Sequence, residues 1–119
     1  MRSVPRAAAT RRSSRWPPGR ARFERLVEEA IVDAYNESEQ RCGLFTTMED
    51  RLARPFETAV LGVPMTVERV DLTEADEVVA ICRRGRSRQR IPVLDLPLPS
   101  PRPDGAEWIE AYRYWAHGR

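Results

Sequence analysis

The hydrophobic pattern changes period at Phe56, and this confines the chain to a narrow set of folds. Before that point Phe23, Leu26, Val27, Ala30, Ile31, Ala34 and Tyr35 recur at helical spacing, which predicts a helix over 22–41. Gly43 suits the left-handed position that closes such a helix. Leu44, Met48 and Leu52 then repeat at four-residue intervals, predicting a second short helix over 45–53 that Pro55 stops. Beyond Phe56 come short runs rich in β-branched residues, at 58–61, 65–70, 77–82 and 89–94, with turn signals between them. The stretch 96–103, with four prolines, reads as an extended connector. Trp108, Ile109, Tyr112 and Trp115 mark a final amphipathic helix. Strands grouped in sequence, rather than alternating with helices, make the class α+β. The expected architecture is an N-terminal helix pair, a small antiparallel β-sheet or SH3-like barrel, and a C-terminal helix.

A chain of 119 residues suffices for one domain with a modest core. Its net charge of +2 conceals a segregation: residues 1–22 hold seven Arg and no acid, whereas residues 23–50 hold eight acids and two Arg. Residues 1–22 therefore read as a disordered Arg-rich tail, and 23–119 as a single domain. Cys42 and Cys82 stand far apart without CxxC spacing, as expected of buried free thiols in a reducing compartment. No apolar run approaches the roughly 18 residues of a membrane span. Thr10-Arg11-Arg12 lacks the apolar segment that an export signal needs next. The reading is a cytoplasmic monomer with no membrane association.

The stretch from Asp33 to Phe56 holds five carboxylates, Asp33, Glu37, Glu39, Glu49 and Asp50. At about 100° per residue, Asp33 and Glu37 share one flank of the apolar stripe, while Glu28 and Glu39 point to water. A reversal at Gly43 would bring Glu49 and Asp50 towards that flank. Four clustered carboxylates repel one another and need a counter-charge. Arg51 and Arg54 are at hand, and a plain solvated face is the simplest account. A hard cation such as Ca2+, which takes 6–8 oxygen ligands, would also serve. The EF-hand loop pattern is absent.

The segments Ile31-Val32-Asp33-Ala34-Tyr35, Glu37-Ser38-Glu39-Gln40, Gly43, Glu49-Asp50 and Pro55-Phe56 resemble a small bacterial calcium-binding family first described in cyanobacteria. Arg90-Ile91-Pro92-Val93 and the Trp108 to Trp115 helix fit the same layout, so the resemblance spans about residues 24–116. It implies a single α+β domain that binds Ca2+ through clustered surface acids, as a buffer or signal component, with a protein partner left open. By position, it assigns Asp33, Glu37, Glu49 and Asp50 as ligands, Asp50 foremost. Asn36 and Thr47 match positions where family members often hold a charged residue and an aromatic. The acid-rich turn Asp71, Glu74, Asp76 and Glu77 resembles another family loop, read here as a solvated turn or a weaker second site.

The alternative is nucleic-acid binding. Arg83, Arg84, Arg86, Arg88 and Arg90 cluster around a hairpin turn, and the basic tail could add phosphate contacts. No aromatic residue interleaves with them to stack bases. Alternation would put Arg84, Arg86, Arg88 and Arg90 on one solvent-facing side. Enzyme function is not expected: the one histidine, His117, lies at the end of the last helix, and neither cysteine has an evident catalytic partner.

Overall fold

The computed structural model describes residues 20–118. The expected tail therefore lies outside the described residues, except for Arg20, Ala21 and Arg22, which belong to the first helix. The elements are α1 (Arg20–Ala30), α2 (Glu37–Arg51), β1 (Phe56–Val60), β2 (Val63–Leu72), β3 (Val78–Arg84), β4 (Ser87–Pro92), a 3-10 turn (Val93–Asp95) and α3 (Ala106–His117).

The helix pair exists, but its break is not at Gly43. The chain leaves helical geometry after Ala30, turns through 31–33 and restarts at Asn36. Asn36 is the N-cap: its side-chain oxygen accepts from the Glu39 N–H at 2.8 Å, while Glu39 Oε1 accepts from the Tyr35 N–H at 2.7 Å. This reciprocal pair satisfies donors that a new helix start leaves open. Gly43 sits inside α2 instead of ending a helix. A Cβ there would collide with the carbonyl oxygen of Ala30. The missing side chain lets the end of α1 rest on the middle of α2, offsetting the roughly 1 kcal/mol that a helical glycine costs.

The four strands form one antiparallel meander in the order β1-β2-β3-β4. Of the two sheet alternatives this is the open one, since β1 and β4 are edges and do not pair. A bulge lies between Val67 and Arg69 on β2. The β3–β4 pairing matches Arg83 with Arg88 and Arg84 with Ser87, so the chain reverses over the two-residue loop Gly85-Arg86.

The inner face of the sheet carries Met65, Val67, Val70, Val78, Ala80 and Cys82, which pack with Leu44 and Met48 of α2 and with Trp108, Ile109 and Tyr112 of α3. Each Val, Leu, Ile or Met among them stabilises the fold by about 1.5–3 kcal/mol on leaving water. Polar contacts from three of its side chains help to lock α3 in place. Trp115 Nε1 donates to Gln40 on α2 (2.9 Å), and the Tyr114 hydroxyl donates to Glu24 on α1 (2.9 Å). The half-buried Arg113 guanidinium donates to the carbonyls of Val93 (3.0 Å) and Leu96, fastening the 3-10 turn. At the start of α3, Gly105 adopts φ 85° directly against the Arg51 carbonyl, where a side chain would not fit. No helix among the described residues is long and apolar enough to cross a membrane.

Candidate functional site

Moving the helix break changes which acids share a face. From its true start at Asn36, α2 places Glu39, Gly43, Thr46, Thr47 and Asp50 along one stripe towards α1, because residues three and four apart are neighbours on a helix. Glu37 falls on the opposite side. Two adjoining shallow clefts lie along this stripe. One, of about 440 Å³, is lined by Glu29, Thr46, Thr47, Glu49, Asp50 and Arg51. The other, of about 500 Å³, is lined by Asp33, Glu39, Cys42 and Gly43 among others, and shares Thr46 and Thr47 with the first.

The four acids chosen from sequence do not meet at one junction. Asp33 lies in the α1–α2 turn and Glu37 in the first turn of α2, whereas Glu49 and Asp50 lie in its last turn. Twelve helical residues separate Glu37 from Glu49, about 18 Å at the α-helical rise. The expected reversal at Gly43 does not occur, so that route to a four-carboxylate shell is closed. Among the described residues, no three Asp, Glu, His or Cys side chains converge closely enough to hold a metal ion.

Each acid has its own environment. Glu37 bonds Arg41 at 3.1 Å, and Arg41 also reaches Asp76 in the β2–β3 turn at 2.6 Å. The Arg41 guanidinium lies 5.0 Å from the centroid of the Trp115 ring, a favourable cation–π placement. Burial works against its charge, but bonds to Tyr112 and Glu37 and the nearby Asp76 outweigh it and hold its pKa above the ordinary value. Asp50 has Arg51 at 3.4 Å, both well exposed. Glu39 is spent on the α2 cap. Asp33, Glu49 and Glu29, a residue the sequence reading passed over, have no cation within ion-pair distance among the described residues. Glu29 is missed because only the α1–α2 turn, not helical phase within one helix, folds it against the end of α2.

The remaining expectations can be placed as well. Cys82 is buried, and burial pushes its thiol up, but Cys42 is exposed on α2, contrary to the expected burial. The hairpin arginines do not share one side: the two-residue loop puts Arg83, Arg88 and Arg90 on the outer face, with Arg84 facing the other way. Arg83 and Arg88 both pair with Glu68 on β2, at 2.7 and 2.8 Å.

Residues 24–116 match the sequence profile of the CcbP family, whose description is calcium binding. The fold is shared with the crystal structure of CcbP from Anabaena, at a TM-score of 0.67 and 19% identity, covering 98% of this chain and 95% of that one. A calcium-binding protein solved in its calcium-binding form is equally similar, at a TM-score of 0.68 and 18% identity, covering 87% of this chain and 97% of that one. A comparison with curated protein sequences gives no match. The profile match takes in α2, the whole sheet, all but the last residue of α3 and all but the first turn of α1, and on that extent the chain belongs to the CcbP calcium-binding family.

Proposed function

We propose that this protein binds Ca2+ on the α1–α2 face, with Glu49 and Asp50 as the principal charged ligands and Asp33 contributing from the adjoining cleft. The observation that carries the reading is the cleft beside Glu49, where carboxylates and threonine hydroxyls line one opening with Arg51 at its rim, and where Glu29 and Glu49 have no cation within ion-pair distance among the described residues. The donor set fits a hard cation, being all oxygen at Glu29, Thr46, Thr47, Glu49 and Asp50. Their spacing leaves a shell that exposed side chains must close by rotation and water must complete. Such a shell suits reversible uptake, as a buffer or signal component requires. Bound there, the ion would supply positive charge that relieves repulsion among the carboxylates. Arg51, the fixed cation at the rim, touches Asp50 at 3.4 Å while its guanidinium lies over the Trp108 ring, 5.9 Å from the centroid. Glu37 must leave Arg41 before it can hold an ion, so its contribution is the smallest of the four.

Titration calorimetry of the full chain tests the proposal. Ca2+ is expected to give a saturable heat and to raise the thermal midpoint at millimolar concentration. Asp50→Ala and Glu49→Ala should each weaken binding by about tenfold, equivalent to about 1.4 kcal/mol. Asp33→Ala should weaken it less, and Glu37→Ala least. Absence of any Ca2+ heat, together with an unshifted midpoint, would reject the reading.

A further inference from the structure

The β3–β4 hairpin is the most basic feature of the described residues: positions 78–92 hold five Arg and no acid. Glu68 occupies two of these, Arg83 and Arg88, through its two carboxylate oxygens. Arg84, Arg86 and Arg90 are exposed and have no carboxylate within ion-pair distance among the described residues. The helices pack on the inner face of the sheet, so the outer face and the hairpin tip stand apart from the acidic α1–α2 clefts.

Three occupants fit this surface poorly. Stable seating on a lipid surface takes apolar contact besides basic charge, and residues 83–90 hold no apolar or aromatic side chain. Unpaired nucleic-acid strands are held by stacking on aromatics, also missing here. An added peptide strand would pair with the open edge of β4, but arginines and the donor-less Pro92 guard that edge. What remains is a narrow two-stranded ribbon that, among the described residues, carries unpaired guanidiniums at its tip (Arg84 and Arg86) and farther back on its outer face (Arg90). A duplex groove admits a ribbon of this width, and guanidinium forks match phosphate oxygens.

We propose that the β3–β4 hairpin contacts the phosphate backbone of duplex nucleic acid through Arg84, Arg86 and Arg90. This interface is independent of sequence and separate from the Ca2+ clefts. The test is fluorescence anisotropy of the full chain with a labelled mixed-sequence DNA duplex across a salt series, with phosphatidylserine vesicles and polyglutamate as comparison ligands. Duplex binding at low salt should weaken steeply as salt rises. The triple change Arg84→Gln, Arg86→Gln and Arg90→Gln should weaken binding and reduce the log–log salt slope by roughly 3, about 0.9 per phosphate contact. Arg84→Gln with Arg86→Gln alone, at the tip and outside the core, should reduce it by about 2 and serves if the triple variant unfolds. Absence of duplex binding at low salt, an unchanged slope in the variants, or equally tight binding to vesicles or polyglutamate would overturn the proposal.

Discussion

Two acidic regions of this molecule meet their electrostatic problem in opposite ways. Around Arg41, the carboxylates of Glu37 and Asp76 converge on an internal guanidinium that is largely buried, 17% exposed, and held against Trp115. Along the α1–α2 clefts, and among the described residues, Glu29, Asp33 and Glu49 face solvent without such a partner, and Asp50 has only the exposed Arg51. The first arrangement is complete: the chain supplies its own cation, and the charge ties α2 to the β2–β3 turn and to α3. The second leaves its carboxylates available to a cation from solution. A binding protein of this size needs both kinds, one to hold the frame and one to stay open.

The contrast is broken most directly by removing the internal cation. Arg41→Ala strands the Glu37 and Asp76 carboxylates and uncovers the edge of Trp115. Loss of a largely buried charge with several partners is expected to destabilise the fold by about 3 kcal/mol. Asp33→Ala, in the open cleft, should stay within about 0.5 kcal/mol of the parent. Urea denaturation of both variants without Ca2+ checks the difference. If the two lose similar stability, the distinction between framework and binding acids is wrong.

A sharper version uses pH at Glu68. Bonds from Arg88 and Arg83 hold its carboxylate below the usual value of 4.5. A carboxylate whose pKa is lower when folded stabilises the protein above its unfolded pKa, and that stabilisation fades as pH falls through the folded one. The stability gap between the parent and Glu68→Gln should therefore be full at neutral pH and shrink progressively below about 4.5. Paired denaturation curves at neutral and acid pH measure it. A gap that does not change with pH would mean that Glu68 acts by packing, not by charge.

How much of this was legible in the sequence depended on whether the relevant signal was local. The change of period at Phe56 and the aromatic spacing of Trp108, Tyr112 and Trp115 are local, and they give the α+β class and the order of elements correctly. The helix break is hidden in the sequence because Ile31, Ala34 and Tyr35 continue the apolar stripe straight through it. In the structure Tyr35 is 89% exposed, so its apolar character carried no information about burial. The better signal was Asn36 followed three residues later by Glu39, the spacing of a capping pair. Reading it would have restarted the helical phase, placed Glu39 on the stripe facing α1 and moved Glu37 to the Arg41 side. Glu29 and the Arg41–Asp76 pair could not be reached in this way, since each depends on how distant segments pack. The hairpin faces failed for a related reason: alternation holds along one strand, and the loop at Gly85-Arg86 resets it.

The smallest effect tests the link between the two regions, at the residue that belongs partly to each. Arg51 closes α2, lies 3.4 Å from Asp50 and sits over Trp108, yet its side chain is half exposed. As a competitor for Asp50 it should weaken Ca2+ binding slightly, by the modest worth of an exposed pair. Arg51→Gln removes the charge while keeping most of the stem against Trp108. Ca2+ affinity should then rise about two- to threefold, within the ~1 kcal/mol limit for such pairs. High salt should erase the gain, since it screens an exposed charge but not a lost packing contact. Calorimetry of parent and variant at low and high salt distinguishes these outcomes. A fall in affinity would instead mean that Arg51 orients Asp50 for the ion, making the fixed cation part of the open site.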